Sequence, residues 1–213
     1  DAITVFLIDE LIYDFFPYTA QTHLIGSVIF DGIFQHATSV SNKPAKHLYE
    51  DRGIKTVFWG CGIRERGSLS PELRSSAEFL AVRGPVTASD LRLGHAVPKG
   101  DPALLLPALY QPRRAENLLD KTVCVPHYND ERSDEEIRKI SGCDVVIRPS
   151  IKKDKASIMA FIDAISSAKF VLAGAMHAAV TAAAYGVPFG FWDSESIDIP
   201  TKWEDIAGLI NIP

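Results

Sequence analysis

The chain has 213 residues, a length that suits one large α/β domain or two small ones. Hydrophobic residues make up 46% of it and charged residues 23%, the balance of an ordinary globular protein. The net charge of -5 provides no broad basic surface, so nucleic acid is not the expected partner. The apolar stretches, Phe170–Val180 included, are too short or too interrupted to predict a transmembrane segment.

Predicted strands and helices alternate through the first half of the chain. An apolar stripe at helical spacing predicts a helix over Asp1–Phe16. Helices are also expected over Ser70–Glu78, which has an early proline, and over Pro85–Leu93, which a glycine follows. The expected strands are Thr22–Ile29, Lys55–Trp59, Phe79–Val82 and Ala96–Pro98. Since an α/β half ordinarily opens on a strand, we expect the first strand to be missing.

A second alternating series follows Ala108–Leu119, whose weak periodicity, proline and paired arginines predict a linker. Its predicted strands are Lys121–Val125, Asp144–Arg148, Lys169–Ala173 and Val187–Trp192, and its predicted helices are Asp134–Ser141, Lys155–Ala168, Met176–Tyr185 and Thr201–Ile210. Strands separated by helices of this length imply right-handed crossovers and parallel sheets. The fold class is therefore predicted as α/β, with two Rossmann-like halves at residues 1–110 and 117–213.

His177 lies in a predicted strand–turn–helix unit, just after a glycine turn. The helix is rich in alanine, so we expect it to pack closely, and His177 stands among these small residues as a titratable side chain. Ligands of open α/β sheets bind at the carboxyl ends of the strands. His177 is thus a candidate catalytic residue, or else a hydrogen-bonded packing histidine.

Two further strand ends carry groups suited to an anion. Gly60 and Gly62 form a predicted turn whose backbone N–H groups can hold an anion, although a tight turn without ligand fits equally well. Arg83 follows a strand and precedes a helix that starts at Pro85, so its guanidinium suits a phosphate or carboxylate. The structural alternative is an arginine that fixes the loop through carbonyl groups.

Polar residues at other predicted strand ends are candidates for contacts to a sugar or an acid. Asp101, held extended by the proline after it, can orient a cationic or hydroxyl group or cap its own turn. His127 and Tyr128 follow a strand, where they can contact a sugar or an acid group or hydrogen-bond across a domain interface. Arg148 ends the next strand, where it reaches the rim of the expected cleft as a candidate donor-binding residue or else makes structural pairs.

The cysteines and histidines give little support to a metal site. Cys61, Cys124 and Cys143 lie in or beside apolar runs without CxxC spacing, so we expect buried free thiols. The six histidines show no HExxH or comparable ligand spacing. No protein-held metal is therefore predicted.

Four motifs occur in a fixed order along the chain: Arg83-Gly-Pro-x-Thr87, Gly100-Asp-Pro-Ala-Leu-Leu-Leu-Pro107, Val125-Pro-His-Tyr128, and Met176-His177 ahead of Gly-Val-Pro188. Together they resemble the polysaccharide pyruvyl transferase family, with the closest likeness to its succinoglycan-type exopolysaccharide branch. The resemblance implies a two-domain fold like that of GT-B glycosyltransferases. Where many members carry Ser-x-Arg before the histidine, this chain has Ala173-Gly174-Ala175.

The resemblance also implies a reaction. Pyruvate would pass from phosphoenolpyruvate to two hydroxyls of one sugar, in a polysaccharide or its lipid-linked precursor, and form a cyclic ketal. Arg83, Met176 through its backbone, and His177 match the donor-binding positions. Arg83 would also stabilise the charge on the departing phosphate, so Arg83 and His177 are the expected catalytic residues. No cofactor is implied, because the donor is already activated. A histidine side chain can give a proton to the donor and take one from the attacking hydroxyl, which is the role expected of His177. Such a protein would work in the cytoplasm, either free or in peripheral contact with the inner face of the membrane.

Two other functions fit the same pattern. A nucleotide-sugar-dependent GT-B glycosyltransferase would use an acidic residue after a late strand, and Asp193-Ser194-Glu195 offers one. An inactive carbohydrate-binding homologue would keep the fold and lose the chemistry, which the change at Ala173–Ala175 favours. The acceptor sugar and the oligomeric state have no signature in the sequence.

Overall fold

The computed structural model describes residues 3, 6, 7, 10, 21–24, 26–34, 56–152, 154–193 and 199–212. The chain divides into two compact units. One, here called the three-stranded unit, comprises Leu11–Pro102 and Ile199–Pro213, and the other, the four-stranded unit, comprises Asp1–Glu10 and Ala103–Asp198. This grouping differs from the predicted division at both chain ends, since each end packs with the unit more distant in sequence.

In the three-stranded unit, strands β1 (Gln21–Leu24), β2 (Thr56–Cys61) and β3 (Ala77–Val82) form a parallel sheet in the order β1-β2-β3. Helix α1 (Pro71–Ser75) precedes β3, and helix α2 (Pro85–Asp90) follows it. The interior beside this sheet is built from apolar side chains: Ile29, Phe58, Cys61, Ile63, Leu69, Ala77, Val82, Ala88 and Leu91. The predicted parallel arrangement is thus confirmed for this sheet.

Several predicted bounds in this unit are wrong. The helix predicted over Ser70–Glu78 ends at Ser75, because the residues after it enter β3 and pair with β2. The strand predicted over Thr22–Ile29 ends at Leu24, and Ile29 makes only an isolated bridge to Ile63. The segment Ala96–Pro98 is a turn and a bend, and the chain pairs with the end of β3 only through an isolated bridge between Val82 and Lys99. The end of the first of these segments follows a pairing partner that is distant in sequence rather than its own periodicity.

In the four-stranded unit, β4 (Thr122–Val125), β5 (Val145–Val146), β6 (Phe170–Ala173) and β7 (Phe189–Phe191) form a second parallel sheet. Its order is β5-β4-β6-β7. The helices of this unit are α3 (Leu106–Leu109), α4 (Asp134–Ser141), α5 (Lys155–Ser167) and α6 (Met176–Ala184), and α7 (Pro200–Leu209) belongs to the other unit. The prediction of a parallel α/β sheet is confirmed here too.

Local signals explain why α4 occupies its predicted bounds. The Ser133 hydroxyl accepts a hydrogen bond from the Glu136 N–H, while the Glu136 carboxylate accepts one from the Ser133 N–H. This capping box satisfies donors of the first turn that have no acceptor within the helix. Gly142 ends α4 in the left-handed conformation, with φ of 70°.

The segment predicted as a linker, Ala108–Leu119, is instead fastened to α5. The Asp163 carboxylate accepts hydrogen bonds from the Tyr110 hydroxyl at 2.8 Å and from the Arg113 N–H at 2.7 Å. The Ala115 N–H donates to the Ser167 hydroxyl. The segment is therefore an integral part of the four-stranded unit.

The start of the chain is described at four positions. Positions 3, 6, 7 and 10 are helical, and Ile3, Phe6 and Leu7 are buried, whereas the other residues of the helix predicted over Asp1–Phe16 lie outside the described ones. Within the described residues, no helix has the length and apolar character needed to cross a membrane.

Candidate functional site

The strand order of the four-stranded sheet predicts a ligand-binding crevice at its carboxyl edge. From β4 the chain moves outward to β5 and then returns to the other side of β4 as β6. In open parallel sheets, ligands bind where the strand order reverses in this way. The turn after β6 is joined to the end of β4, because the N–H groups of Gly174 and Ala175 donate to the Val125 carbonyl at 2.7 and 3.1 Å.

His177 lies at this edge, as the second residue of α6. The N-cap residue Ala175 supplies no capping side chain, so the positive end of the helix dipole is not neutralised by a side chain of the cap. His177 is half-buried, and its carbonyl accepts the Thr181 hydroxyl at 2.6 Å. The predicted strand–turn–helix unit is thus confirmed, and it places Met176 and His177 in the first turn of α6.

The helix that carries His177 packs closely because its side chains are small. The buried members of α6 are Met176, Ala178, Ala179, Val180, Thr181 and Ala182. Such a helix lies close to its neighbours and holds its first turn in one position relative to the sheet. The alanines therefore help to fix the position of His177.

His127 and Tyr128 follow β4 on the other side of the crevice. Their rings make a tilted contact with centroids 4.4 Å apart and planes at 46°. The Asn129 N–H donates to His127 Nδ1 at 3.3 Å, and the Asp130 N–H donates to the His127 carbonyl at 2.9 Å. His127 is buried, whereas 65% of Tyr128 is exposed. The loop therefore presents the tyrosine to solvent and uses the histidine as its support.

Arg148 adopts the structural alternative considered for it. Its Nη1 and Nη2 donate to the carbonyls of Asp130 and Arg132 at 2.9 and 2.5 Å. Its Nε donates to the Asp134 carboxylate at 2.8 Å. The guanidinium thus spans the loop between β4 and α4, and donor binding by Arg148 stays a prediction.

Three residues at this edge were missed by the sequence analysis. The Arg132 guanidinium forms a two-bond ion pair with the buried Asp130 carboxylate, at 2.8 and 2.7 Å. Its carbon Cζ lies 5.4 Å from the centre of the Trp192 ring, and the backbone N–H of Trp192 donates to the Ala173 carbonyl. The polar sequence after β4 signals a loop, but no local pattern indicates the pairing of Arg132 with Trp192.

In the three-stranded unit, Arg83 is buried rather than placed at a rim. None of its surface is exposed. Its Nη1 donates to the Ser27 hydroxyl at 3.0 Å, and its Nε lies 3.5 Å from the Asp205 carboxylate. Burial lowers the pKa of Arg83, and the charges of Asp205 and Asp101 oppose that shift. The anion that meets this guanidinium in the structure is therefore a carboxylate of the chain itself.

The same carboxylate caps helix α2. The Asp205 carboxylate accepts hydrogen bonds from the N–H groups of Val86 and Thr87 at 3.0 and 3.1 Å, and from the Thr87 hydroxyl at 2.5 Å. The N-cap residue, Gly84, has no side chain to do this. A Cβ on Gly84 would lie 2.5 Å from the Asp205 carboxylate oxygen. The Arg-Gly-Pro motif thus fits the close approach of α7.

Gly60, Gly62 and Asp101 have packing roles in this structure. Gly60 has a φ of +70°, and a Cβ there would lie 2.1 Å from Pro102. A Cβ on Gly62 would lie 2.1 Å from Nη2 of Arg83. Asp101 is buried beside this guanidinium and raises its pKa. Both glycines therefore make room for neighbouring side chains, and their part in donor binding stays a prediction.

The cysteines follow the prediction. Cys61, Cys124 and Cys143 are free thiols and all three are buried. Burial raises the pKa of Cys124 to about 12, so the thiol stays protonated near neutral pH. Across the described ranges, no three His, Cys, Asp or Glu side chains are grouped so as to hold a metal ion.

Comparison with known proteins agrees with the motifs. A family model described as polysaccharide pyruvyl transferase matches residues 25–191. No curated protein and no solved structure matches the chain. The matched range covers most of the 213 residues and contains both the Arg83 motif and the crevice with His177. The chain belongs to the polysaccharide pyruvyl transferase family.

Proposed function

We propose that the chain transfers pyruvate from phosphoenolpyruvate to a sugar of a polysaccharide or its lipid-linked precursor. The product is a cyclic ketal. The observation that carries the proposal is the position of His177, in the first turn of a helix without a capping side chain, at the crevice where the strand order reverses. Family membership supplies the reaction class.

The chemistry asks for one group that both gives and takes a proton. His177 donates a proton to C3 of phosphoenolpyruvate, which leaves an oxocarbenium-like centre at C2. The first sugar hydroxyl forms a bond to C2 and returns its proton to His177. Phosphate then leaves with the electron pair of its C–O bond, the second hydroxyl closes the ring, and the last proton goes to phosphate. A histidine suits both steps because its ordinary pKa is about 6.5.

The first turn of α6 also offers binding groups for an anionic donor. The Met176 N–H lies in this turn, where backbone donors have no acceptor within the helix. The helix dipole favours a phosphate or carboxylate at the same place. Arg83 has no exposed surface and faces the Asp205 carboxylate. We propose that it acts as a positioning residue at the edge of the three-stranded sheet, and that Gly60, Gly62 and Asp101 act with it.

The acceptor side of the proposal rests on Tyr128 and His127. An exposed aromatic ring, supported by a buried one, suits the apolar face of a sugar while its hydroxyl serves as a polar contact. The succinoglycan-type branch, the GT-B-like arrangement and a cytoplasmic site at the inner membrane face remain predictions within this proposal.

The test is phosphate release from phosphoenolpyruvate, with and without oligosaccharides from depyruvylated bacterial exopolysaccharide. We expect His177→Ala to lower kcat by about 10²- to 10⁴-fold, the usual contribution of an acid–base group. His95→Ala, which removes an exposed histidine from a turn, is the matched control. Full activity of a folded His177→Ala variant would contradict the proposed mechanism.

The two alternatives predict different results, one in a thermal-stability measurement and one in the phosphate-release test. A glycosyltransferase would be stabilised against heat by a nucleotide sugar and not by phosphoenolpyruvate, because a bound ligand raises apparent stability. Of the segment considered for it, Asp193 is described, whereas Ser194 and Glu195 lie outside the described residues. An inactive homologue would bind oligosaccharide and release no phosphate.

A further inference from the structure

The loop between β4 and α4, residues 126–133, has no regular structure but is held at both sides. Here it is called the Tyr128 loop. It leaves the carboxyl end of β4 and reaches the capping box of α4 at Ser133. Tyr128, at its tip, is among the most exposed large side chains of the described residues. Contacts on both sides of the loop hold this ring in place.

On the β5 side, a single guanidinium holds the loop. Arg148 follows β5 and uses Nη1 and Nη2 on two carbonyls of the loop, those of Asp130 and Arg132. Its Nε is bound to the Asp134 carboxylate at the start of α4. The rigid fork of an arginine suits three acceptors in fixed directions, which the single ammonium of a lysine cannot reproduce.

On the β7 side, an ion pair and an aromatic contact hold the same loop. The buried Asp130 carboxylate accepts Nε and Nη2 of Arg132, and also the Arg132 N–H at 3.2 Å. The guanidinium lies over the Trp192 ring, and Trp192 is hydrogen-bonded to the end of β6. The backbone from Asp130 to Arg132 is therefore tied to both outer strands of the sheet.

We infer that Arg148 is a positioning residue for acceptor binding, which holds the Tyr128 loop as a preformed saccharide-binding surface. The inference rests on the proposed function and names the part of the site that receives the sugar. A preformed surface binds more tightly because less conformational entropy is lost on binding. In this inference Arg148 acts through the loop, because its guanidinium contacts two loop carbonyls and Asp134, and this role replaces the donor contact predicted for it.

The test compares Arg148→Lys with Arg114→Lys. Arg114 belongs to the same unit, is 70% exposed and makes one surface ion pair, so its variant controls for the chemical change. We expect Arg148→Lys to raise the acceptor KM by about tenfold, which corresponds to about 1.4 kcal/mol, while kcat and the phosphoenolpyruvate KM change by less than about twofold. Arg114→Lys should change none of these constants.

A double-variant cycle separates positioning from general destabilisation. Tyr128→Ala should raise the acceptor KM as well, and adding Arg148→Lys to it should give little further loss, because both changes remove the same surface. Fully additive effects, or a loss in kcat instead of acceptor KM, would overturn the inference. Asp134→Asn, which removes the charge that faces Nε and Nη2 of Arg148 and leaves both loop carbonyls in place, is the milder variant if Arg148→Lys fails to fold, and should raise the acceptor KM by a smaller factor.

Saccharide binding measured by calorimetry tests the inference apart from catalysis. The probe is the same depyruvylated oligosaccharide, without phosphoenolpyruvate. Weaker binding by Arg148→Lys than by the wild type supports the inference even if no phosphate is released, a result that would count against the proposed function alone. Equal binding by both, or no binding by the folded wild type, would overturn it.

Discussion

Replacement of Asp205 tests whether this buried carboxylate stabilises the three-stranded unit. The buried Asp205 carboxylate faces the Arg83 guanidinium, and it also caps helix α2 by accepting hydrogen bonds from the N–H groups of Val86 and Thr87. Asp205→Asn keeps the size of the side chain and removes its charge. Arg83 then remains buried without its main counter-ion, so we expect a large loss of stability.

The contacts of Asp205 determine how much the free energy of unfolding should fall. Removing one member of a buried ion pair typically costs about 3–5 kcal/mol, because the other charge is left uncompensated. The amide of Asp205→Asn can still accept the N–H groups of α2, which places the expected loss at about 3–4 kcal/mol. Asp205→Ala also removes the cap, which adds about 1 kcal/mol. Total stabilities of domains are about 5–15 kcal/mol, so either loss would be easy to measure.

Urea unfolding followed by circular dichroism and tryptophan fluorescence measures this loss. With an m-value of about 2 kcal/mol/M, the midpoint of Asp205→Asn should fall by about 1.5–2 M. Glu204→Gln is the control, because this neighbouring residue makes an exposed pair with Arg66 that contributes at most about 1 kcal/mol. A loss below about 1 kcal/mol in Asp205→Asn would refute the assigned role of Asp205.

Three further predictions follow from the described contacts. Gly62→Ala should destabilise by about 1–3 kcal/mol through overpacking against the buried guanidinium, whereas Gly94→Ala, with open space at its Cβ, should not, as urea midpoints will show. The folded chain should not react with a thiol reagent at pH 8, and three thiols should react in denaturant, because the cysteines are buried and the pKa of Cys124 is raised to about 12. Hydrogen bonds from Ser133 lower the pKa of Glu136 below 4.5, so their stabilisation is present above that pH and lost as pH falls through the lowered pKa. Unfolding of Ser133→Ala should therefore differ from the wild type more at pH 7 than at pH 3.

Elements whose ends are set by nearby residues were predictable from the sequence. Helix α4 has its cap, its capping glutamate and its terminal glycine within one short segment, and its predicted bounds agree with the structure. The unit of β6, turn and α6 was predictable for the same reason, because an apolar run, a glycine turn and an alanine-rich helix succeed one another directly. Local capping and turn chemistry act over a few residues, so a single segment contains the information.

Elements whose state depends on a distant partner were not predictable in the same way. Ala77 and Glu78 read as the end of a helix, yet they open β3 because β2 supplies hydrogen-bonding partners there. Strand pairing is a tertiary contact, and it overrides weak local preferences. The sequence also predicted that these site residues lie at the ends of strands: His127, Tyr128, Arg148 and His177. It did not predict the order of those strands in the sheet.

The sequence by itself determined the α/β class, the strand–turn–helix around His177 and, through four motifs, the family. The tertiary structure alone decided that β6 lies beside β4, which brings the turn before His177 against the end of the strand before His127. It also decided that Asp205 from α7 meets Arg83 and that Arg148 holds the Tyr128 loop. These pairings join segments far apart in the chain, and only the packing of the folded units brings their charges and hydrogen-bonding groups within reach.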